Sequence, residues 1–391
     1  MSDLLRRMAA AWLPLPSAIR GCPSTSFRYL VRANATPSAA VALALASTLG
    51  FSLSCVAPSA VGLLATQASA STIFFSTGNP DGKIATLSRP SGTGGIQTET
   101  ADDFILTQSS VINQATFTGL LPMNAPLTSV SNVEVELYHI VLVERDPRNV
   151  PTRVFSPEDN EISSATRDSA DGSLSFDVEL VNSSFSVLNS VENGIHPSPG
   201  QFTGGEGPVT GQEVLITVTF KPPIALPADH FFFRPEVQLS TGDFLWLSAP
   251  KPIVAPGTPF ANPNDDKQSW IRNDDLAPDW LRIGTDITHQ GPFNAAFSLT
   301  GETDADGDGV GDSLDLCPDT APGAVVNADG CSIDQLVPCD GPRTGGTWKN
   351  HGTYVAAIAH AANEFLVQGL ISGDQKGAIV SNAAQSSCGR K

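Results

Sequence analysis

Val214–Phe220 reads VLITVTF and puts Val214, Ile216, Val218 and Phe220 on every second position. Successive side chains of a β-strand point to opposite faces, so this run has one apolar face to bury. The same period recurs along the chain. Leu174, Phe176, Val178 and Leu180 stand opposite Ser175, Asp177 and Glu179, and Val133, Val135 and Leu137 alternate with Glu134 and Glu136. Phe293, Ala295, Phe297 and Leu299 form another such face, as do Phe231, Phe233, Val237 and Leu239. Pro235 inside that last run marks an edge or a bulge, because proline has no N–H for a ladder. Ser240–Asp243 is expected to turn the strand back onto Phe244–Leu247. Ser91–Gly95 and Gly200–Gly211 read as loops. Short strands, Gly/Pro-rich connections and no long helical period predict a β-sandwich over residues 71–300.

With 391 residues and 41% hydrophobic content, the chain can build a sizeable core and more than one domain. Acids outnumber bases 40 to 22, a formal charge of −18. Such a surface repels nucleic acid and anionic lipid. Residues 1–70 read as a targeting segment: Arg28 and Arg32 precede an Ala/Val/Leu run from Ala39 to Ala65, and Ala68-Ser69-Ala70 offers small residues for cleavage before Ser71. An uncleaved anchor is the rival reading, and would be the chain's only route to a membrane. Both readings expect a protein that is secreted, periplasmic or at the cell surface.

Past residue 338 the period changes to that of a helix. Tyr354, Ile358, Ala361 and Phe365 recur at helical spacing, with Val355, Ala362 and Leu366 beside them. Asn350 can cap the start and Gly369 suits the end. Ser372 and Gln375 form a capping box for a second helix through Ile379, Val380 and Ala383. Residues 339–391 are therefore expected to form a small α-helical hairpin.

Between sandwich and hairpin lies Asp304–Cys331, DADGDGVGDSLDLCPDTAPGAVVNADGC. Asp304, Asp306 and Asp308 alternate, Gly309 follows, and Asp312 and Asp315 come after. Calcium takes about 6–8 oxygen ligands, which a loop can supply from alternate positions if a glycine turns it sharply. On that pattern Val310 offers a backbone carbonyl, Asp312 acts through water and Asp315 closes the set. From Glu302 to Asp340 there is no Lys or Arg, so no protein cation is at hand. Because a strand-like segment precedes Asp304, an EF-hand is not expected.

This segment resembles the thrombospondin type 3 repeat, with its spaced aspartates, Cys317-Pro318 and the closure Val326, Asn327, Asp329, Gly330 and Cys331. The resemblance implies a repeat over residues 301–338 wrapped around Ca2+, with little apolar core and a disulfide as staple. Single copies act as spacers in exported bacterial proteins. Trp348-Lys349-Asn350-His351-Gly352 is similar to a C-terminal segment found beside such repeats. Four cysteines lie outside the targeting segment, and three pairings are open to them. Cys317 with Cys331 would close the repeat, and Cys339 with Cys388 would close the hairpin. Zinc is the rival, but Cys-x-x-Cys spacing is missing. Disulfides fit an oxidising compartment.

Trp246, Trp270 and Trp280 lie near Asp265, Asp266, Asp274, Asp275 and Asp279. Rings beside carboxylates can form a sugar-binding platform, and the competing reading makes them core residues. The chain has no Gly-x-Ser-x-Gly elbow, no His-Glu-x-x-His and no phosphate-binding glycine motif. Its overall expectation is mainly β: a sandwich, a short calcium repeat and a disulfide-closed helical hairpin. The expected function is non-enzymatic, with the sandwich offering a surface to an extracellular glycan or a cell-surface protein. A carbohydrate-binding module is the alternative, and an extracellular hydrolase ranks last.

Overall fold

The alternating runs are strands. In this computed structural model the described residues are 72–91, 95–142, 153–192, 195, 203–260, 262–276, 279–321 and 323–390. The expected targeting segment lies outside them, as do parts of the two loops expected at Ser91–Gly95 and Gly200–Gly211. The strands are β1 (Thr72–Ser76), β2 (Ile84–Leu87), β3 (Thr98–Ile105), β4 (Ser110–Leu121), β5 (Val130–His139), β6 (Arg167–Asp168), β7 (Leu174–Val187) and β8 (Asn189–Val191). They continue with β9 (Val209–Leu226), β10 (His230–Leu239), β11 (Leu245–Ala249), β12 (Trp270–Asn273), β13 (Leu281–Arg282), β14 (Asn294–Ala295) and β15 (Phe297–Thr303). Three helices close the chain: α1 (Ile333–Leu336), α2 (His351–Val367) and α3 (Gly373–Gln385).

The strands form two sheets. The first is built around β4. On one side β4 carries β9 and then β7, and on the other it pairs with β15 and β11, which lead to β1 and to β2–β8. The second sheet runs β13-β12-β3-β10-β5-β6. Val214, Ile216, Val218 and Phe220 meet Val133, Val135, Leu137, Phe231 and Phe233 between the sheets, all at most 2% exposed. At about 1.5–3 kcal/mol for each large apolar side chain removed from water, this shared interior is the main stabilising term. The mainly β expectation therefore holds.

Three local expectations change. Leu180 is 42% exposed, because β7 is the outer strand beyond β9 and its middle runs past the core. Ser240–Asp243 does not close a hairpin. Gly242, at φ +77°, instead helps carry the chain from one sheet to the other, where Phe244 and Trp246 insert into the interior. The tryptophans are buried: Trp246 0%, Trp270 1% and Trp280 0% exposed. A stacking platform needs open ring faces, so these three rings do not make one. Pro235 behaves as expected of an edge. β10 pairs with β3 only through Phe233, so proline falls where no strand continues the ladder on that side and only Ser88 bonds the Pro235 carbonyl and the Val237 N–H.

The helical tail follows its local signals. Asn350 caps α2 through Thr353, Gly369 turns at φ +76° and Ser372 caps α3 through Gln375. Ser332 and Gln335 form a third capping box, at α1. Tyr354, Ile358, Ala361, Ala362 and Phe365 pack with Ile371 and Ala383, and this core draws in Ile333 and Val337 from before Cys339. Disulfides join Cys317 to Cys331 and Cys339 to Cys388. Cross-links of this kind limit the unfolded chain, which matters most where the core is small. Among the described residues no helix is long and apolar enough to cross a membrane.

Candidate metal centre

β15 runs straight into the acidic loop. Thr303 ends the strand opposite Ser110, and the next residue, Asp304, donates its N–H to the Ser109 carbonyl at 3.1 Å. A strand, not a helix, thus enters the loop and sets Asp304 at 2% exposure against the end of the sheet. Around that carboxylate the backbone curls. Asp304 Oδ1 accepts from the N–H groups of Gly307 (2.9 Å) and Asp308 (3.2 Å), and Oδ2 accepts from Gly309 (3.0 Å). Gly307 at φ +74° and Gly309 at φ +94° make the curl, in the region that glycine enters without strain.

The curl brings carboxylates together. Asp304, Asp306 and Asp308 each place an oxygen within 4.8 Å of the others, a spacing that one cation could bridge. Asp308 Oδ1 accepts from the Val310 N–H at 2.8 Å, while Asp308 Oδ2 is buried and has no hydrogen-bond partner. Asp315 joins from the far side. A Cβ placed on Gly330 would stand 2.1 Å from Asp315 Oδ1 and 3.2 Å from Asp308 Oδ2, so Gly330 is a bare wall against both carboxylates. Asp312 points elsewhere. Its Oδ1 accepts from the Ala305 N–H at 2.8 Å, and its Oδ2 accepts from the Thr303 hydroxyl, tying the loop back to β15. For Val310 the contact seen is its N–H, donated to Asp308.

Burial, with crowding added, raises the proton affinity of Asp304, Asp308 and Asp315. Burial pushes the Asp308 carboxyl up to about 6, with repulsion from Asp306, Asp315 and Asp304 adding to it. Asp304 and Asp315 are also raised, first by burial. A carboxylate group without protein cations becomes easier to ionise when a divalent ion replaces the protons, and Asp oxygens with backbone carbonyls form the hard donor set that calcium prefers.

Thr320 and Gln335, which the spacing of aspartates does not mark, brace the acidic loop. Asp306 Oδ2 accepts from the Thr320 N–H at 2.7 Å, and the Thr320 hydroxyl makes contacts with the Cys317 and Gly330 carbonyls and Gln335 Oε1 at 2.8–2.9 Å. One threonine thus couples the carboxylates to the disulfide and to the cap of α1. The signal for it was Ser332-x-x-Gln335, a capping box that fixes where Gln335 points.

A second group of charged residues was also missed. On the face of the second sheet turned from the shared core, Arg234 donates to Glu99 (2.6 Å) and Glu136 (2.6 Å) and lies 3.1 Å from Glu236. Arg272 pairs with Glu99, stacks 4.4 Å over Trp280 and reaches the Tyr138 hydroxyl at 3.1 Å. Burial alone would raise the Glu99 carboxyl, but Arg234 and Arg272 outweigh it and hold it below its ordinary value. Asp279, from the expected sugar platform, pairs with Arg153 at 3.3 Å. Asp274 accepts from the Gln97 N–H at 3.1 Å.

Comparison with known proteins finds no matching family model, no matching characterised protein and no matching solved structure.

Proposed function

We propose that the chain is an exported, non-enzymatic protein in which calcium orders the joint between a β-sandwich and a helical tail. The observation that carries this reading is the convergence of Asp304, Asp306 and Asp308 within 4.8 Å, with a buried, unpartnered oxygen on Asp308. In a stretch without Lys or Arg, these charges repel one another until a cation bridges them. Calcium is the fitting ion because every donor is an oxygen and the glycine turns let the loop adjust to a large ion. The likeness to a thrombospondin type 3 repeat supports the same choice. Two disulfides suit an oxidising compartment, which favours export.

Calcium titration of the whole chain by calorimetry tests this. The expected result is saturable binding with protection of the Asp304–Cys331 segment from protease, both lost in Asp304→Asn. No heat and no protection at about 1 mM calcium, an extracellular level for such modules, would end the reading.

A further inference from the structure

One strand of the sandwich is finished on one flank only. β7 pairs with β9, and among the described residues no strand pairs with its other edge. The other sheet ends are short: 5 residues in β1, 3 in β8 and 2 each in β6 and β13. Short edges discourage pairing with other chains, as lysines and prolines do. β7 runs for 14 residues and holds no Lys, Arg or Pro. We propose that this edge takes up an extended segment of a partner protein as an added strand, with side chains that alternate between apolar and basic.

The backbone supplies the first requirement. From Leu174 to Leu180, β7 stays in unbroken register with β9, Leu174 opposite Phe220 and Leu180 opposite Val214. The irregularities in the ladder come only after Leu180. About half of a strand's N–H and C=O groups point to each flank, so this stretch offers a regular row of free donors and acceptors.

The two faces then select the side chains. Inward, Phe176 and Val178 lean on the shared core yet are only half-buried, and Leu180 is 42% exposed. Their neighbours one strand further in, Val218, Ile216 and Val214, are 0% exposed. β9 has a strand on both flanks and β7 does not, so an added strand with apolar residues on this face would extend the cover outward. Outward, Asp177 and Glu179 are exposed and stand opposite Thr217 and Leu215. Neither carboxylate has an ion-pair partner among the described residues. Lys or Arg on the outer face of the incoming strand would meet them, because opposite charges side by side in a sheet attract and like charges repel. A second copy of this chain, at −18, would bring its own Asp177 and Glu179 to the same edge and is the poorer occupant.

The probe is a short capped peptide that alternates lysine and valine, titrated into the whole chain while amide hydrogen exchange is followed. One control replaces its lysines by glutamate, and another is methylated on every peptide nitrogen, which removes its N–H donors. The expected result is saturable slowing of exchange over Ser175–Leu180, with a Kd of about 1 mM or tighter for the lysine peptide and none for either control. Reversing the exposed charges together, Asp177→Lys with Glu179→Lys, weakens the lysine peptide about tenfold and turns the preference toward the glutamate peptide. The proposal is overturned if these amides stay unprotected at about 5 mM peptide, if either control protects them equally, or if the doubly substituted chain binds as the parent does. A dimer that protects the same amides without peptide gives the edge to a second copy and overturns it as well.

Discussion

A buried cluster of carboxylates and a half-buried one in this protein handle repulsion in opposite ways. On the second sheet, Glu99, Glu136 and Glu236 surround Arg234, a guanidinium at 1% exposure supplied by the same chain. In the loop after β15, Asp304, Asp306, Asp308 and Asp315 converge with no basic residue from Glu302 to Asp340. The first cluster is complete in the folded chain. The second has no cation of its own within that stretch. A fixed cation gives a permanent part of the core, and a borrowed one gives a part whose order depends on its surroundings.

The sharpest way to break the contrast is Arg234→Met. It takes the cation from Glu136 and Glu236 and leaves Glu99 with Arg272 alone, and removing one partner of a buried ion network costs about 3–5 kcal/mol. Urea unfolding should show that loss equally in calcium and in chelator. Next in size is removal of calcium itself. At about a hundredfold excess over Kd, a ligand that binds only the folded form adds about 2.7 kcal/mol. The parent should melt lower in chelator. Asp308→Asn should lose most of this calcium dependence yet melt no lower than the parent once chelator is present, since it removes a repelling charge. A melting temperature of the parent that ignores chelator would dissolve the distinction between the clusters.

A smaller effect is expected at Gly330. Its φ is +73°, and a Cβ there would collide with Asp315 Oδ1 at 2.1 Å. Gly330→Ala should cost about 1–2 kcal/mol of stability and weaken calcium binding, as read by parallel melting and calorimetry. The smallest effect belongs to Glu134, beside the arginine cluster. Its carboxyl is raised to about 8, chiefly by burial, with Arg234 opposing and Glu136 adding to the rise. The folded protein therefore holds this proton more tightly than the unfolded chain does. That contribution is complete below the ordinary Glu value of about 4.3 and fades as pH climbs through about 8. Stability of the parent should fall over that window, and Glu134→Gln should flatten the slope slightly in urea midpoints taken at successive pH values.

How far the residues announced all this depends on what covers them. Period-two alternation told which side chains face the shared core, so Val214–Phe220 and Val133–Leu137 were legible. Alternation cannot tell what lies over a strand's other face. In β10, Phe232, Arg234 and Glu236 are as buried as Phe231 and Phe233, because distant segments fold over the outside of that sheet. The same covering hides Trp270 and Trp280. The aspartates of the loop were legible since their spacing is local, and so were Gly309 and the caps of α2 and α3. Asp312 turned back to Thr303 because the strand's own end competes for it. The expected hairpin at Ser240–Asp243 failed for a related reason: a turn sequence fixes a reversal of the chain but not which sheet the chain joins next.

The direct continuation of β15 into Asp304 also bears on mechanics. β15 is held over seven residues by β4 on one flank and over five by β1 on the other, both antiparallel. Tension drawn through the tail along the strand axis would reach this whole ladder at once rather than opening it rung by rung. A shared load of that kind resists rupture far better than unzipping does. The loop sits in series with the strand, so its stiffness would decide whether a tug arrives at the sandwich abruptly or cushioned.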